Sequence, residues 1–295
     1  MVSVVGLGTW QFGGEWGKRF DRAEVDGLVY RAQELGINLV DTAECYGDHL
    51  AESLIGPATA KHRDDWIIAT KFGHVFHPDR AAAGLRSPGE VRSDHWSPDE
   101  VIGQLDRSLE ALRTDYVDVY LFHSGPDEVF DRDDLWEALN HQVEQGKIRY
   151  LGISLGAPDD LYQTTRASDV GATVVEVTYN RLNRSAEGGL FDACRRQDLG
   201  VLVREPLANG YLSGKYRPGA TITSADDWRS AMDEREVRDR LDLVERIRAT
   251  EVPSGAPMAP WALAWCLRNP DVAAVVTGTR SIQQLDSSAT AGVSG

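Results

Sequence analysis

Cysteine is scarce in this chain of 295 residues. Cys45, Cys194 and Cys266 are odd in number and widely spaced, which excludes a disulfide framework and a cysteine-rich zinc site, so no metal is expected. Long apolar runs are missing too. Nothing reaches the roughly 18 residues that a membrane-crossing helix needs, so no membrane association is expected. Met1-Val2-Ser3-Val4-Val5 lacks the basic stretch and long apolar segment of a secretory leader. Together these features point to a reducing, cytoplasmic setting. Positive charge is in short supply, with 31 Lys and Arg against 46 Asp and Glu, a formal net charge of −15. The cations are scattered, so a nucleic-acid backbone would be repelled and no nucleic-acid partner is expected. Lysine is rarest, at positions 18, 61, 71, 147 and 215 alone, and a lysine on a buried strand therefore stands out. A glycine-rich dinucleotide fingerprint is absent as well: Gly6-Leu7-Gly8-Thr9-Trp10-Gln11 follows an apolar run but lacks the third glycine.

What is present is a rhythm of short apolar run, turn, helical stretch and turn. The apolar runs are 2–8, 37–41, 66–71, 116–122, 149–154, 173–178, 201–204 and 272–277. Between them, segments such as 23–35, with Val25, Leu28, Val29, Ala32 and Leu35 on one face and Gly36 as stop signal, carry the helical period. Ser97-Pro98-Asp99-Glu100 is a helix start, with Ser as N-cap and Pro in the first turn. Eight strand–helix units predict an α/β chain folded as a (β/α)8 TIM barrel, a single domain over residues 1–295. A doubly wound sheet shares the alternation but is disfavoured by the missing fingerprint. Two long segments, 72–96 and 217–235, exceed ordinary loop length and are candidate active-site loops.

In a barrel the C-terminal strand ends converge on one bowl. Strand two ends in Asp41, with Tyr46 just beyond, strand three in Lys71, and strand four in His123. A charge that emerges from a buried strand is costly unless paired, so Asp41 and Lys71 are expected to pair. Taken alone, that pair reads equally well as a structural clasp. With Tyr46 and His123 beside it, the set reads as a proton donor: a lysine cation favours the phenolate, an aspartate keeps the lysine charged, and a neutral imidazole can bind a carbonyl oxygen. The expectation is that Lys71 makes the Tyr46 phenol more acidic.

These residues resemble a family. Asp41-Thr42-Ala43-Glu44-Cys45-Tyr46-Gly47, Ala69-Thr70-Lys71, and Tyr116-Val117-Asp118-Val119-Tyr120-Leu121-Phe122-His123 are similar to signatures of the aldo-keto reductases. Gly6 to Trp10, Arg204 to Gly210 with Gly214-Lys215, and Gly278-Thr279-Arg280 with Gln284 add to the likeness in the same order. The resemblance implies reduction of a small-molecule aldehyde or ketone with NADPH as cofactor. Tyr46 would be the general acid, Lys71 and Asp41 would tune it, and His123 would orient the carbonyl. Ser154 and Glu176 would face the nicotinamide carboxamide, with Arg204 near the ring. Pro206, Leu207, Gly210 and Lys215 would follow the pyrophosphate, and Gly278, Thr279, Arg280 and Gln284 the adenosine phosphate. Arg280 would favour NADPH over NADH, because a guanidinium binds a 2′-phosphate bidentately.

Glu176 departs from the family, where Gln is usual; an ionised carboxylate cannot donate to the carboxamide oxygen. Trp10, Trp16, His74 and Phe76 follow strands one and three and could wall a substrate pocket or anchor their loops. Two other classes stay open. One is a nucleotide-binding regulatory subunit with little turnover; the other is a Schiff-base lyase with Lys71 as nucleophile. The substrate and the oligomeric state are not specified by these residues.

Overall fold

A computed structural model describes residues 1–85, 87–221 and 227–293. Residue 86 of the first long segment and residues 222–226 of the second lie outside the described residues. Eight parallel strands form a closed barrel: β1 (Val5–Gly8), β2 (Leu39–Asp41), β3 (Ile67–Phe72), β4 (Val117–His123), β5 (Ile148–Ser154), β6 (Ala172–Thr178), β7 (Gly200–Arg204) and β8 (Val272–Gly278). Neighbours in sequence are neighbours in the sheet, and β1 closes the ring by pairing with both β2 and β8. The (β/α)8 barrel is therefore the architecture of this chain. The first strand begins at Val5 rather than Val2, because Ser3 and Asn38 bond to each other there instead of entering the ladder.

The two-residue period of a strand sorts the side chains. Val5, Leu7, Val40, Ile68, Tyr120, Phe122, Ile153, Val175, Val203 and Val275 point outward into the main core beneath the helices. The alternate positions fill the barrel in two smaller clusters, one of Leu39, Leu202, Ala274 and Val276, the other of Ala69, Val119 and Leu121. Glycines make that filling possible: a Cβ on Gly6 would come within 2.8 Å of the Leu39 side chain, and one on Gly152 within 2.6 Å of Leu121. Continuing the same inward parity to the strand ends reaches Asp41, Lys71, His123, Ser154, Glu176, Arg204 and Gly278. An apolar barrel thus carries a polar ring at its C-terminal end.

Helix Pro98–Leu112 starts as its sequence predicts, in a capping box in which Ser97 and Glu100 satisfy each other's backbone N–H groups. The long segment after β3 is not a plain loop. It holds an antiparallel hairpin, His74–Phe76 paired with Arg92–Asp94, which stands over the barrel mouth. A backbone bridge from Trp16 to Asp227 ties the loop after β1 to the loop after β7.

Candidate active site

Register places the key side chains on adjoining strands. Asp41 pairs with Ala69, two residues before Lys71, and His123 pairs with Ser154, which pairs with Glu176. Tyr46 reaches the same point from the turn after β2. That turn is pressed onto the loop after β1: a Cβ on Gly13 would lie 2.7 Å from the Tyr46 carbonyl carbon, and Gly47 has φ +69°.

The buried Lys71 ammonium is the hub. Its Nζ donates to Asp41 Oδ1 at 2.6 Å, to the Thr42 carbonyl at 2.8 Å and to Tyr46 Oη at 3.4 Å. An ammonium has three N–H bonds, and each has an acceptor here. Glu176 Oε2 stands 3.9 Å away, so two buried carboxylates face one ammonium. Burial works against the charged form of Lys71, but Asp41 and Glu176 outweigh it and hold the cation. Burial and the Glu176 charge push the Asp41 carboxyl up; Lys71 only partly offsets them. Glu176 would also be raised by burial, yet the charges of Lys71 and Arg204, with hydrogen bonds from the Asp41 carboxyl and the Ser154 hydroxyl, hold it low.

The phenol behaves differently from the sequence expectation. Burial pushes the Tyr46 hydroxyl above its ordinary range; Lys71 pulls it down, while Asp41 and Glu176 add to the rise. The reason is arithmetic of charge and solvent: one ammonium cannot overcome desolvation plus two carboxylates. Tyr46 therefore keeps its proton at neutral pH.

His123 lies edge-on to Tyr46, with ring centroids 6.3 Å apart. Its Nδ1 faces Cys45 Sγ at 3.7 Å and Glu44 Oε2 at 3.9 Å, and burial pushes the imidazole down to about 3, so it is neutral.

A cavity of about 1120 Å³ opens above this cluster. Near Tyr46 its wall includes Trp10, Trp16, His74 and Arg92; from there it runs past Glu176, Arg204, Pro206, Leu207, Gly210 and Lys215 to Gly278, Arg280, Gln284 and Ser288. Trp10 stacks on Tyr46 with centroids 6.1 Å apart, and His74 Nε2 donates to the His123 carbonyl at 2.7 Å. At the far end, Lys18 and Arg280 meet, Lys18 Nζ donating to the Arg280 carbonyl at 3.4 Å.

Four residues singled out from sequence do not line the cavity, the first being Lys71, which is buried beneath it. Phe76 shares the His74 face of its strand but lies two residues farther along, where it is buried in the main core. Thr279 is buried and donates to the Ser281 carbonyl at 3.0 Å. Ser154 stands behind Glu176, donating to its Oε1 at 2.9 Å. Conversely, Lys18, Arg92 and Arg229 line the cavity without having drawn notice in the sequence. Arg92 pairs with Glu15 at 3.0 Å and lies 5.8 Å from the centroids of both Trp10 and Tyr46. Arg229 pairs with Asp227 at 2.6 Å and lies 5.0 Å from the Trp16 ring. Arg92 sits in the long segment that the sequence marked only as a candidate loop.

The segment after β7 is held in an uncommon shape. Glu205, Ala208 and Asn209 all have positive φ, and they are held by Asn180 Nδ2 donating to the Glu205 carbonyl at 3.0 Å and Arg229 Nη1 donating to the Asn209 carbonyl at 2.7 Å. Non-glycine residues in that region persist where the surroundings impose it, and such residues cluster at ligand sites.

A barrel whose mouth combines a saturated lysine, a protonated tyrosine and a large cavity is the build of a barrel oxidoreductase, and the comparisons with known proteins give its family. The profile of the Aldo/keto reductase family matches residues 4–293, and the chain belongs to that family. It is 28% identical over 298 residues to the "NADH-specific methylglyoxal reductase" of Escherichia coli (strain K12), covering 96% of this chain and 88% of that protein. It is 27% identical to a "Probable voltage-gated potassium channel subunit beta" of Arabidopsis thaliana, covering 96% of this chain and 85% of that one. Among solved structures, the aldo-keto reductase AKR11C1 from Bacillus halodurans (holo form) superposes with TM-score 0.79 at 28% identity, covering 100% of this chain and 87% of that one. The family reduces carbonyl groups with nicotinamide cofactors, and this chain is an oxidoreductase of that kind. No described helix is long and apolar enough to cross a membrane.

Proposed function

We propose that the chain reduces a small aldehyde or ketone to the alcohol with NADPH, and that Tyr46 supplies the proton. The observation that carries this reading is the Lys71 ammonium, whose three donors are all engaged and whose third acceptor is the Tyr46 hydroxyl.

The residues present fit a dinucleotide. The cavity holds about 1120 Å³, and Glu176 Oε2, Arg204 Nε, Gln11 Oε1 and Thr277 Oγ1 on its lining residues have no hydrogen-bond partner among the described residues. Glu176 and Arg204 would hold the nicotinamide end, Pro206, Leu207, Gly210 and Lys215 the pyrophosphate, and Gly278, Arg280 and Gln284 the adenosine end. Ser154 and Thr279 would act from behind the wall. The bound cofactor supplies the hydride. The remaining work falls to the chain. Tyr46 Oη protonates the carbonyl oxygen, since an alkoxide is more basic than a phenolate. Lys71 stabilises the phenolate left behind, and Asp41 keeps Lys71 oriented. His123, neutral, binds the same oxygen without adding charge. Trp10, Trp16 and His74 shield the reacting atoms from water.

Lys71 is poorly suited to Schiff-base chemistry, because an amine that donates three hydrogen bonds has no lone pair to offer. A regulatory, low-turnover role has the Arabidopsis relative in its favour. Mixing the chain with NADPH and a panel of carbonyl compounds separates the readings. Multiple turnovers, lost in Tyr46→Phe with nucleotide affinity kept, are expected. Normal turnover by Tyr46→Phe would remove Tyr46 from its role, and no more than one turnover per chain with every compound would favour the regulatory reading. For cofactor choice, the Escherichia coli relative is named NADH-specific, whereas Arg280 on the cavity wall, with the Lys18 amine on its backbone carbonyl, favours a 2′-phosphate.

A further inference from the structure

Glu176 is the one carboxylate of the polar ring that is not hydrogen-bonded to Lys71. It is fully buried, lines the cavity, and its Oε2 has no hydrogen-bond partner among the described residues. Its Oε1 takes the Ser154 hydroxyl at 2.9 Å and stands 3.9 Å from Arg204 Nε. Asp41 takes the direct hydrogen bond from Lys71 at 2.6 Å, while Glu176 stands 3.9 Å from the same ammonium. A buried carboxylate in a cavity wall is costly unless something else uses its field.

We propose that Glu176 discriminates between the two redox states of the cofactor, holding the positively charged oxidised nicotinamide more tightly, relative to the neutral reduced form, than an uncharged side chain would. The inference rests on the reading given under Proposed function, that the nicotinamide lies at this end of the cavity. Its geometric basis is that one group, the Lys71 ammonium, stands 3.9 Å from Glu176 Oε2 and 3.4 Å from the Tyr46 hydroxyl. Any ring that exchanges with a carbonyl carbon held at that hydroxyl therefore lies in the field of the carboxylate. The sign follows from charge. The reduced ring is neutral and gains little, whereas the oxidised ring carries a positive charge and is attracted. The ionised state of Glu176, held by Lys71 and Arg204, agrees with this. A residue that favours the state reached after transfer also favours the charge that develops on the way there.

The test compares dissociation constants of NADP+ and NADPH, measured by calorimetry on the wild-type chain and on Glu176→Gln. The expected result is that the variant loses about tenfold in affinity for NADP+ relative to NADPH, a small part of what close charges gain even at an effective dielectric of about 20. Adenosine 2′,5′-bisphosphate, which lacks the nicotinamide, is the control for folding and should bind both proteins equally. An unchanged NADP+ to NADPH ratio with normal binding of the control would overturn the proposal and leave the reductase reading standing. Failure of the wild-type chain to bind either nucleotide would overturn both. Loss of the control in Glu176→Gln would show a collapsed cavity; Glu176→Asp, which keeps the charge, must then retain the wild-type ratio, and a shifted ratio there would count against the proposal.

Discussion

The floor of the cavity and its rim are built on different principles. The floor is made of side chains at strand ends, Asp41, Lys71, His123 and Glu176, each set by barrel register and by the inward parity of its strand. Its charges are buried and mutually dependent. The rim is made of loop segments, the hairpin His74–Phe76 with Arg92–Asp94 and the segment after β7, held by the Arg92–Glu15 pair, the Trp16–Asp227 bridge and the Arg229–Asp227 pair. Its charges pair locally, two by two. The floor should therefore fail as a unit when one member is removed, whereas the rim should give way piece by piece. This division matches the way barrels carry chemistry at strand ends and vary specificity in loops.

The largest break should come from Lys71→Met. It leaves Asp41 and Glu176 facing each other in a buried site, and removing one partner of such a cluster costs about 3–5 kcal/mol. A lower melting temperature together with loss of turnover is expected; turnover lost with unchanged melting would show that the cluster does not depend on its cation. Next is Arg280→Ala, which should weaken NADPH binding by roughly ten- to a hundredfold and NADH binding far less. Equal losses for the two nucleotides, read by fluorescence titration, would remove Arg280 from cofactor choice. Acid stability sharpens the comparison further. The folded chain holds His123 at about 3 against 6.5 in the unfolded chain, so the unfolded state binds the extra proton between those values. Stability present above about pH 6.5 is thus progressively lost as pH falls toward 3. His123→Asn should flatten that part of the melting-temperature profile, and an unaltered slope would show that another group titrates there. The smallest effect is at the rim: Arg92→Met should raise KM several-fold and leave the melting temperature within a few degrees.

The floor was legible in the sequence because strands advertise it. Apolar residues alternate toward a polar end, and a lysine after Ile67-Ile68-Ala69-Thr70 in a lysine-poor chain marks a buried charge that must find a partner. The eight-strand order followed from the same rhythm. The rim was much less legible. The hairpin after β3 has no apolar alternation long enough to read, and His74 and Phe76, on one face of its first strand, part only because packing buries Phe76 in the core while His74 reaches the cavity. Arg92 and Lys18 come from loops whose path depends on tertiary contacts, so their arrival at the cavity has no local signal. The acidity of Tyr46 was misjudged for a related reason. The sequence places Lys71 beside it but does not weigh burial or bring Glu176 from the far side of the barrel. Thr279 and Ser154 show that the right strand end does not ensure an exposed side chain.

The most direct test of the contrast is a single-turnover rate at saturating cofactor and substrate, compared across the wild-type chain, Tyr46→Phe and Arg92→Met by stopped flow. The account predicts that Tyr46→Phe slows the step by about a hundredfold or more, in the range of a lost general acid, while Arg92→Met stays within about tenfold of wild type. A Tyr46→Phe rate close to wild type, or an Arg92→Met rate as low as that expected for Tyr46→Phe, would contradict it.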